Sequence, residues 1–318
     1  MRPKKVTDSN LQKKRGMLFE LNKNRTLYIM LMFGFIYLII NNYLPMLGIS
    51  IAFKSINFRD GILASPWVGL KNFEFLFKSN YAFQIVRNTL LYNFTFLALD
   101  MVIPVAIAIG LNEIVLLKLK KVYQTCIFLP HFLSWVVVSM IAYAFLGMES
   151  GFINNHILPL FNMEKVNFYQ EVKLWPFLLV FFNTWKHAGY SSVVYLAAIT
   201  NIDPCLYEAA DIDGAGKWKK IRYITIPSVS GLVVMMMLLG CGRIFTADFG
   251  LFYQMPLDSG SLYSVTNVIS TYVYRVGLKG GEFEMGAAAG VLQSVVGFIT
   301  VMGMNYLIKK IDNDKALF

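Results

Sequence analysis

The 318-residue sequence predicts an all-α integral membrane protein with six transmembrane helices. Three observations carry that expectation. The mean hydropathy is +0.53, and 56% of residues are apolar. Charged residues make up 15%, against about 25% in soluble chains. Residues 26–53, 122–148 and 285–308 contain no Asp, Glu, Lys or Arg, and a bilayer-spanning helix needs only about 20 apolar residues. Finally, Lys and Arg alternate in density from one inter-span segment to the next, with 18 in one set and 8 in the other.

In chain order, residues 1–25 form a basic tail and residues 26–310 the transmembrane domain, followed by a short tail at 311–318. The six spans are expected at about 26–50, 88–112, 123–147, 174–200, 228–248 and 285–308. The first is too long for the apolar core of a cleaved signal peptide, which is about 7–15 residues. The second carries Asp100, the fourth Lys186, and the fifth Arg243 with Asp248 at its end. Pro104 and Pro130 lie inside expected spans, where neighbouring groups can re-satisfy the freed carbonyls. The 37-residue segment 249–285, rich in Tyr and Phe, is expected to fold over the outer mouth. Gly286 and Gly290 form a GxxxG, a spacing that lets two helices approach closely. No internal repeat or low-complexity segment is present.

Orientation follows from the positive charges, which mark cytoplasmic segments. The basic tail, Lys118–Lys121, Lys217–Arg222 and Lys309–Lys315 make up the rich set, so both termini are expected in the cytoplasm. A net charge of +10 is then topogenic charge in contact with anionic lipid. It gives no reason to invoke nucleic acid. Three cysteines without CxxC pairing suggest neither a disulfide framework nor a zinc site.

Between the fourth and fifth spans lies the charged segment 202–227. Its stretch EAADIDGAGKWKKIRYITIP (208–227) holds four Lys or Arg, three carboxylates and two Gly. Asp203 and Pro204 read as an N-cap followed by proline at the first helical position. Leu206, Tyr207, Ala209, Ala210 and Ile212 fit a short amphipathic helix, which Gly214 and Gly216 interrupt. Trp218, Ile221, Ile224 and Thr225 form a second apolar stripe, and Pro227 is expected to end it just before the fifth span. A compact helical knob of mixed charge suits docking into a protein groove.

Those residues also carry a resemblance. Glu208-Ala209-Ala210, Asp213-Gly214-Ala215, Ile224 and Ile226-Pro227 match the EAA motif of permease subunits of ABC importers. LPHFLSWVVV (129–138), WKHAGYSSVVYLAAITNIDP (185–204) and EFEMGAAAGVLQSVVG (282–297) resemble the maltose-type sugar permeases, within them the branch importing complex oligosaccharides. The likeness covers roughly residues 25–310. It implies the maltose-type permease fold in a bacterial cell membrane and import of an oligosaccharide by alternating access. It also implies a second, homologous permease subunit in a heterodimer, an ATPase dimer carrying ATP and Mg, and an extracytoplasmic solute-binding protein. Glu208, Ala209, Ala210, Asp213, Gly214, Ala215, Ile224 and Pro227 would then couple the ATPase to the gate. A non-sugar solute such as a peptide or polyamine is the alternative cargo.

The chain has no Walker A pattern, no G-x-S-x-G and no H-E-x-x-H, so no cofactor or metal is expected on it and catalysis has no candidate residues. A membrane-embedded enzyme or receptor is the rival class. His131, His156 and His187 read as solitary polar residues rather than metal ligands. Ionisable groups inside spans are costly and are functional candidates by default. Lys186 and Arg243 are expected either to line a substrate cavity or to pair with Asp100 or Asp248. Asn183, Trp185, His187, Tyr190 and Tyr195 are the further substrate-pathway candidates, because sugars are held by aromatic faces and hydrogen-bonding side chains.

Overall fold

The computed structural model describes residues 23–57, 59, 61–74 and 80–311. The tails at 1–22 and 312–318 lie outside the described residues. Among the described residues every regular element is helical, apart from one isolated bridge between Lys54 and Trp67. The chain divides into two units, residues 1–50 and 51–318.

In the first unit the chain forms helix α1, part of the helical run Arg25–Phe53. It contains a π-helical turn at Ile39–Tyr43. Pro45 explains the turn: its ring would clash with the carbonyl four residues back, Asn41, and the wider π-turn moves that carbonyl aside. None of Arg25–Leu38 is buried within the chain.

The second unit is a helical bundle. Helix α2 spans Asn80–Asn112. Helices α3 (Leu117–Phe132) and α4 (Trp135–Leu146) meet at a bend of 102°. After α5 (Trp175–Thr200) comes the short α6 (Pro204–Ile212), then α7 (Lys217–Cys241), α8 (Phe249–Gln254) and finally α9 (Phe283–Ile311). Among the described residues four helices, α1, α2, α7 and α9, are long and apolar enough to cross a membrane, or five if α3–α4 counts as one broken span. Helix α5 has 26 residues, about 39 Å at 1.5 Å per residue. Asn183, Lys186 and His187 in its middle keep it out of the apolar class.

The apolar packing falls into blocks along the helices. One contains Phe96 of α2, Val138 of α4, Trp175 and Leu179 of α5, and Leu251 and Phe252 of α8. Another contains Ala108 and Leu111 of α2, Leu196 and Ile199 of α5, and Val229 of α7. A smaller cluster joins Ile85, Ile269, Tyr272 and Ala289. Along α2, Asp100 falls between the first two blocks. Along α5, so do Asn183, Lys186, His187 and Tyr190. The bundle thus has two dry cores with a polar belt between them.

Several expectations are corrected. The run 123–147 is not one straight span, because Pro130 opens a 3-10 turn (Leu129–Phe132) and Leu133 is extended. Helix α2 starts eight residues before the expected 88: Gln84 and Asn88 donate to the carbonyls of Ser264 and Asn267, so polar residues continue the helix. Pro104 sits within a continuous helix. The fifth element ends at Cys241 rather than 248, which places Arg243 in a turn. Pro227 does not separate the knob from α7; a π-turn at Ile221–Thr225 contains the carbonyl of Tyr223 and lets the helix run through. The segment 249–285 is a series of short helices, and Leu251, Phe252, Met255 and Leu262 from it are core residues. In the GxxxG, Gly286 meets the Cα of Gly277, while Gly290 faces open space.

Candidate functional site

The knob is built as its residue types require. The Asp203 carboxylate accepts from the Cys205 amide at 2.9 Å, capping α6 with Pro204 in the first turn. At the other end, the Ala215 amide donates to the Ala210 carbonyl at 2.8 Å and Gly214 takes φ +71°. This is a Schellman-type end, with glycine where a left-handed conformation is needed. Lys220 bridges to Asp211 at 2.7 Å, tying the two arms together. The hydroxyls of Tyr207 and Thr225 meet at 2.9 Å. Lys217 reaches Glu113 at the end of α2 at 3.3 Å.

Glu208, Ala209, Asp213, Gly214 and Pro227 are exposed, while Ala210, Ala215 and Ile224 are half-buried. Two large apolar side chains stand out from the knob: Ile212 at 88% exposure and Trp218 at 83%. Large apolar side chains of this kind dominate interface energetics wherever they become desolvated. Trp218 is therefore not part of an inward stripe with Ile221 and Thr225. The buried member of that set is Thr225.

The polar belt is a second site. A cavity of about 390 Å³ is lined by Asp100, Tyr190, Ser191, Tyr195, Gly240 and Arg243. Arg243 is exposed and Asp100 half-buried, with the Asp100 Oδ1 atom buried and without a hydrogen-bond partner. Tyr190 stacks on His131, their rings 4.3 Å apart. His131 lies 6.0 Å from the ring of His187, so two histidines far apart in sequence are neighbours here. Among the described residues no cluster of His, Cys, Asp or Glu could hold a metal ion.

Not every candidate reaches that cavity. Tyr190, Tyr195 and Arg243 share it; Trp185 instead lines an apolar cavity of about 610 Å³ with Ile103, Pro130 and Phe181. Asn183 is buried, and its carbonyl accepts from His187 Nδ1 at 2.9 Å. Lys186 is also buried, and its Nζ donates to the carbonyls of Pro130, His131 and Leu133 at 3.4, 2.9 and 2.5 Å. An ammonium has three N–H donors, and all three are spent on the break between α3 and α4. The expectation of a carboxylate partner is thus replaced by three carbonyl dipoles. They offset a desolvation cost of several kcal/mol for a buried ion. Close by, Gly189 lets α5 cross α3, since a Cβ there would lie 2.0 Å from the Ile127 carbonyl oxygen.

Sequence reasoning passed over Trp135, whose indole N–H donates to the Asp248 carboxylate at 2.7 Å. Asp248 in turn caps α8, accepting from the amides of Gly250 and Leu251. A tryptophan directly after the N-cap Ser134 of a helix following Pro130 was the available signal.

A broken helix, a polar mid-bundle cavity and a protruding helical knob together describe a conduit driven from outside itself. Residues 102–313 match the family described as binding-protein-dependent transport system inner membrane component. The chain belongs to that family. It is similar to the polygalacturonan/rhamnogalacturonan transport system permease protein YteP of Bacillus subtilis (strain 168), at 38% identity over 94% of this chain and 92% of the relative. Protein LplB of the same organism is 33% identical over 92% of each chain. Among solved structures, a bacterial ABC transporter involved in import of the acidic polysaccharide alginate superposes with a TM-score of 0.84. It is 32% identical and covers 93% of this chain and 99% of that one. The permease is therefore a membrane transport subunit of an ABC importer, with ATP hydrolysis on a separate subunit, and it is not an enzyme. Importers of this family work with a solute-binding protein, as in the alginate transporter structure solved with its pentasaccharide-bound periplasmic protein.

Proposed function

We propose that this permease imports an oligosaccharide carrying carboxylate groups, handed over by a solute-binding protein, and moves it by alternating access. The cavity lined by Asp100, Tyr190, Ser191, Tyr195 and Arg243 is the observation that carries this reading. Tyrosine supplies faces and a hydroxyl, Ser191 and Asp100 can bond sugar hydroxyls, and a guanidinium pairs bidentately with a carboxylate. Its relatives named for polygalacturonan/rhamnogalacturonan and alginate transport agree with the exposed Arg243. Trp185, Asn183, Lys186 and His187 shape the surrounding belt rather than touch the solute.

In the complete assembly six spans cross a bacterial cell membrane, α5 supplying the polar one, with both termini in the cytoplasm. The 18-to-8 asymmetry of Lys and Arg supports that orientation. A second homologous permease completes the pathway as a heterodimer. An ATPase dimer holding ATP and Mg receives the knob through Glu208, Ala209, Ala210 and the 213–215 turn, with Ile224 and Pro227 joining that contact to α7.

The test is uptake into vesicles reconstituted with the partner permease, the ATPase and the solute-binding protein. An oligogalacturonate should enter in an ATP-dependent way, faster than its neutral galactose counterpart. ATP-dependent uptake of a peptide or polyamine without oligosaccharide uptake would overturn the proposal.

A further inference from the structure

Two stretches of non-helical backbone lie beside the polar belt, and each is closed by side chains from other helices. Inside a bilayer an unsatisfied carbonyl is so costly that irregular backbone persists only where protein or a water-filled cavity satisfies it. At the first break, between α3 and α4, Lys186 of α5 donates to the carbonyls of Pro130, His131 and Leu133. At the second, between Cys241 and Phe249, Asn93 of α2 donates to the Ile244 carbonyl at 2.8 Å. Gln293 of α9 donates to that of Phe245 at 2.7 Å, and Ser270 to that of Ala247 at 2.6 Å. Both breaks are therefore stable features of the fold.

The two breaks are also tied to each other. Trp135, the first residue of α4, donates its indole N–H to Asp248 at 2.7 Å. The other Asp248 oxygen caps α8 through the Gly250 amide at 2.8 Å. The indole lies so close to this first turn of α8 that a Cβ at Gly250 would meet Trp135 at 2.2 Å. Lys186 completes the set from beneath, its ammonium 5.4 Å from the centre of the Trp135 ring. From these ends α4 and α8 run into the same apolar block, contributing Val138, Ala142 and Leu251, Phe252.

We infer that Lys186, Trp135 and Asp248 form a positioning relay for transport: Trp135–Asp248 binds α4 and α8 into one body, and Lys186 holds the break on which that body turns. The reasoning rests on the alternating-access part of the proposed function, not on which solute is carried. The block containing α4 and α8 is separated from the knob-side block by the polar belt, through which the long helices α2 and α5 run into both blocks, so the movement inferred is that of α4 and α8 against α2 and α5. Helix α7 enters the belt from the knob, and its chain passes through the second break into α8. A displacement of α7 therefore reaches α8 along the chain, and α4 is joined to α8 by the Trp135–Asp248 hydrogen bond as well as by their shared apolar block. Lys186 is a positioning residue because its three donors are occupied by backbone and none is left for a solute.

The experiment uses the assembled importer with spin labels at Met140→Cys on α4 and Leu257→Cys just beyond α8, with Cys126, Cys205 and Cys241 replaced. The label distance is measured without nucleotide and with ATP trapped, and uptake and ATP hydrolysis are followed in parallel. With the native relay, one narrow distance should persist in both states. Trp135→Phe, which removes the N–H donor and the five-membered ring but keeps an aromatic side chain, should broaden it, lower uptake at least tenfold and raise the ATP hydrolysed per sugar imported. Lys186→Met should do the same. If Lys186→Met fails to assemble, Trp135→Phe and Asp248→Ala decide. A native distance together with native uptake in Trp135→Phe would overturn the relay. Loss of uptake for every solute by the unaltered importer, with the distance behaviour as expected, would count against the proposed substrate and leave the relay standing.

Discussion

Across the base of the knob, the hydroxyl of Tyr207 on α6 meets the buried hydroxyl of Thr225 at 2.9 Å. One hydrogen bond thus fastens the arm bearing the EAA residues to the helical run that enters the membrane. With the Lys220–Asp211 bridge at 2.7 Å, it makes the two arms a single piece. The Tyr207 contact matters more, because an exposed ion pair contributes only about 0–1 kcal/mol.

The turn of that piece depends on Gly214 at φ +71°. A Cβ at Gly214 would meet nothing within 4 Å, so the first effect of Gly214→Val is conformational. A left-handed conformation costs a residue with a Cβ roughly 1–2 kcal/mol, and more for a β-branched one. The variant should insert and pair with the partner permease yet co-purify with much less ATPase. Full ATPase association would show that the turn is not needed for docking.

If the knob docks on the ATPase as proposed, Ile212 and Trp218 give that surface its apolar area. Trp218→Ala, at an 83% exposed position, should leave the thermal stability of the isolated permease unchanged. Truncating an interface anchor typically costs about 2 kcal/mol or more of binding. The affinity for the ATPase should therefore fall roughly thirtyfold, measured by titrating ATPase onto permease in nanodiscs. An unchanged affinity would move the interface elsewhere on the knob.

Arg243 should discriminate by charge. A hydrogen bond to a charged group contributes about 1.5–3 kcal/mol, so Arg243→Gln should lower uptake of an acidic oligosaccharide about tenfold or more. Its neutral counterpart should be far less affected. Equal loss for both would point to a structural role for the guanidinium.

On the face opposite the knob, Arg275 donates to Asp258 at 2.6 Å and stacks 4.0 Å from the centre of the Tyr263 ring. Burial pushes the Asp258 carboxyl up, but hydrogen bonds from Arg275 and Tyr263 and the nearby Lys279 outweigh it. The carboxyl is held below its ordinary value of 3.8. A depressed carboxyl adds stability above the unfolded value and loses it as pH falls through the folded one. The thermal midpoint should accordingly drop as pH falls below about 3.8. Asp258→Asn should flatten that dependence while lowering the midpoint at neutral pH. An acid profile identical to the native one would assign the loss to other groups.

Much of the bundle was legible because bilayer solvation is written in composition. Helix α5 runs Trp175–Thr200, close to the bounds 174–200 expected from an apolar run that tolerates Lys186. The knob was legible to single residues: Asp203 as cap, Gly214 as turn. What could not be read is direction. Pro130 in LPHFLSW marks a place where the helix can break, but nothing there gives the 102° turn, because proline sits equally inside the continuous helix α2 at Pro104. Lys186 was recognisable as costly, but its partners are backbone carbonyls, which every sequence supplies everywhere. Gln84 and Asn88 hid the start of α2 because their polarity answers a loop nearly 180 residues away.

The passage of α7 through Pro227 has a mechanical result. Its 25 residues from Lys217 to Cys241 form a strut about 37 Å long at 1.5 Å per residue. A strut transmits thrust with little loss only if it has no soft point, and proline in a helix is ordinarily that soft point. By absorbing the missing hydrogen bond in the π-turn at Ile221–Thr225, the permease keeps its compliance out of the shaft and collects it beyond Cys241. A push on Trp218 at one end is therefore carried along the shaft to Gly240, which lines the mid-bundle cavity.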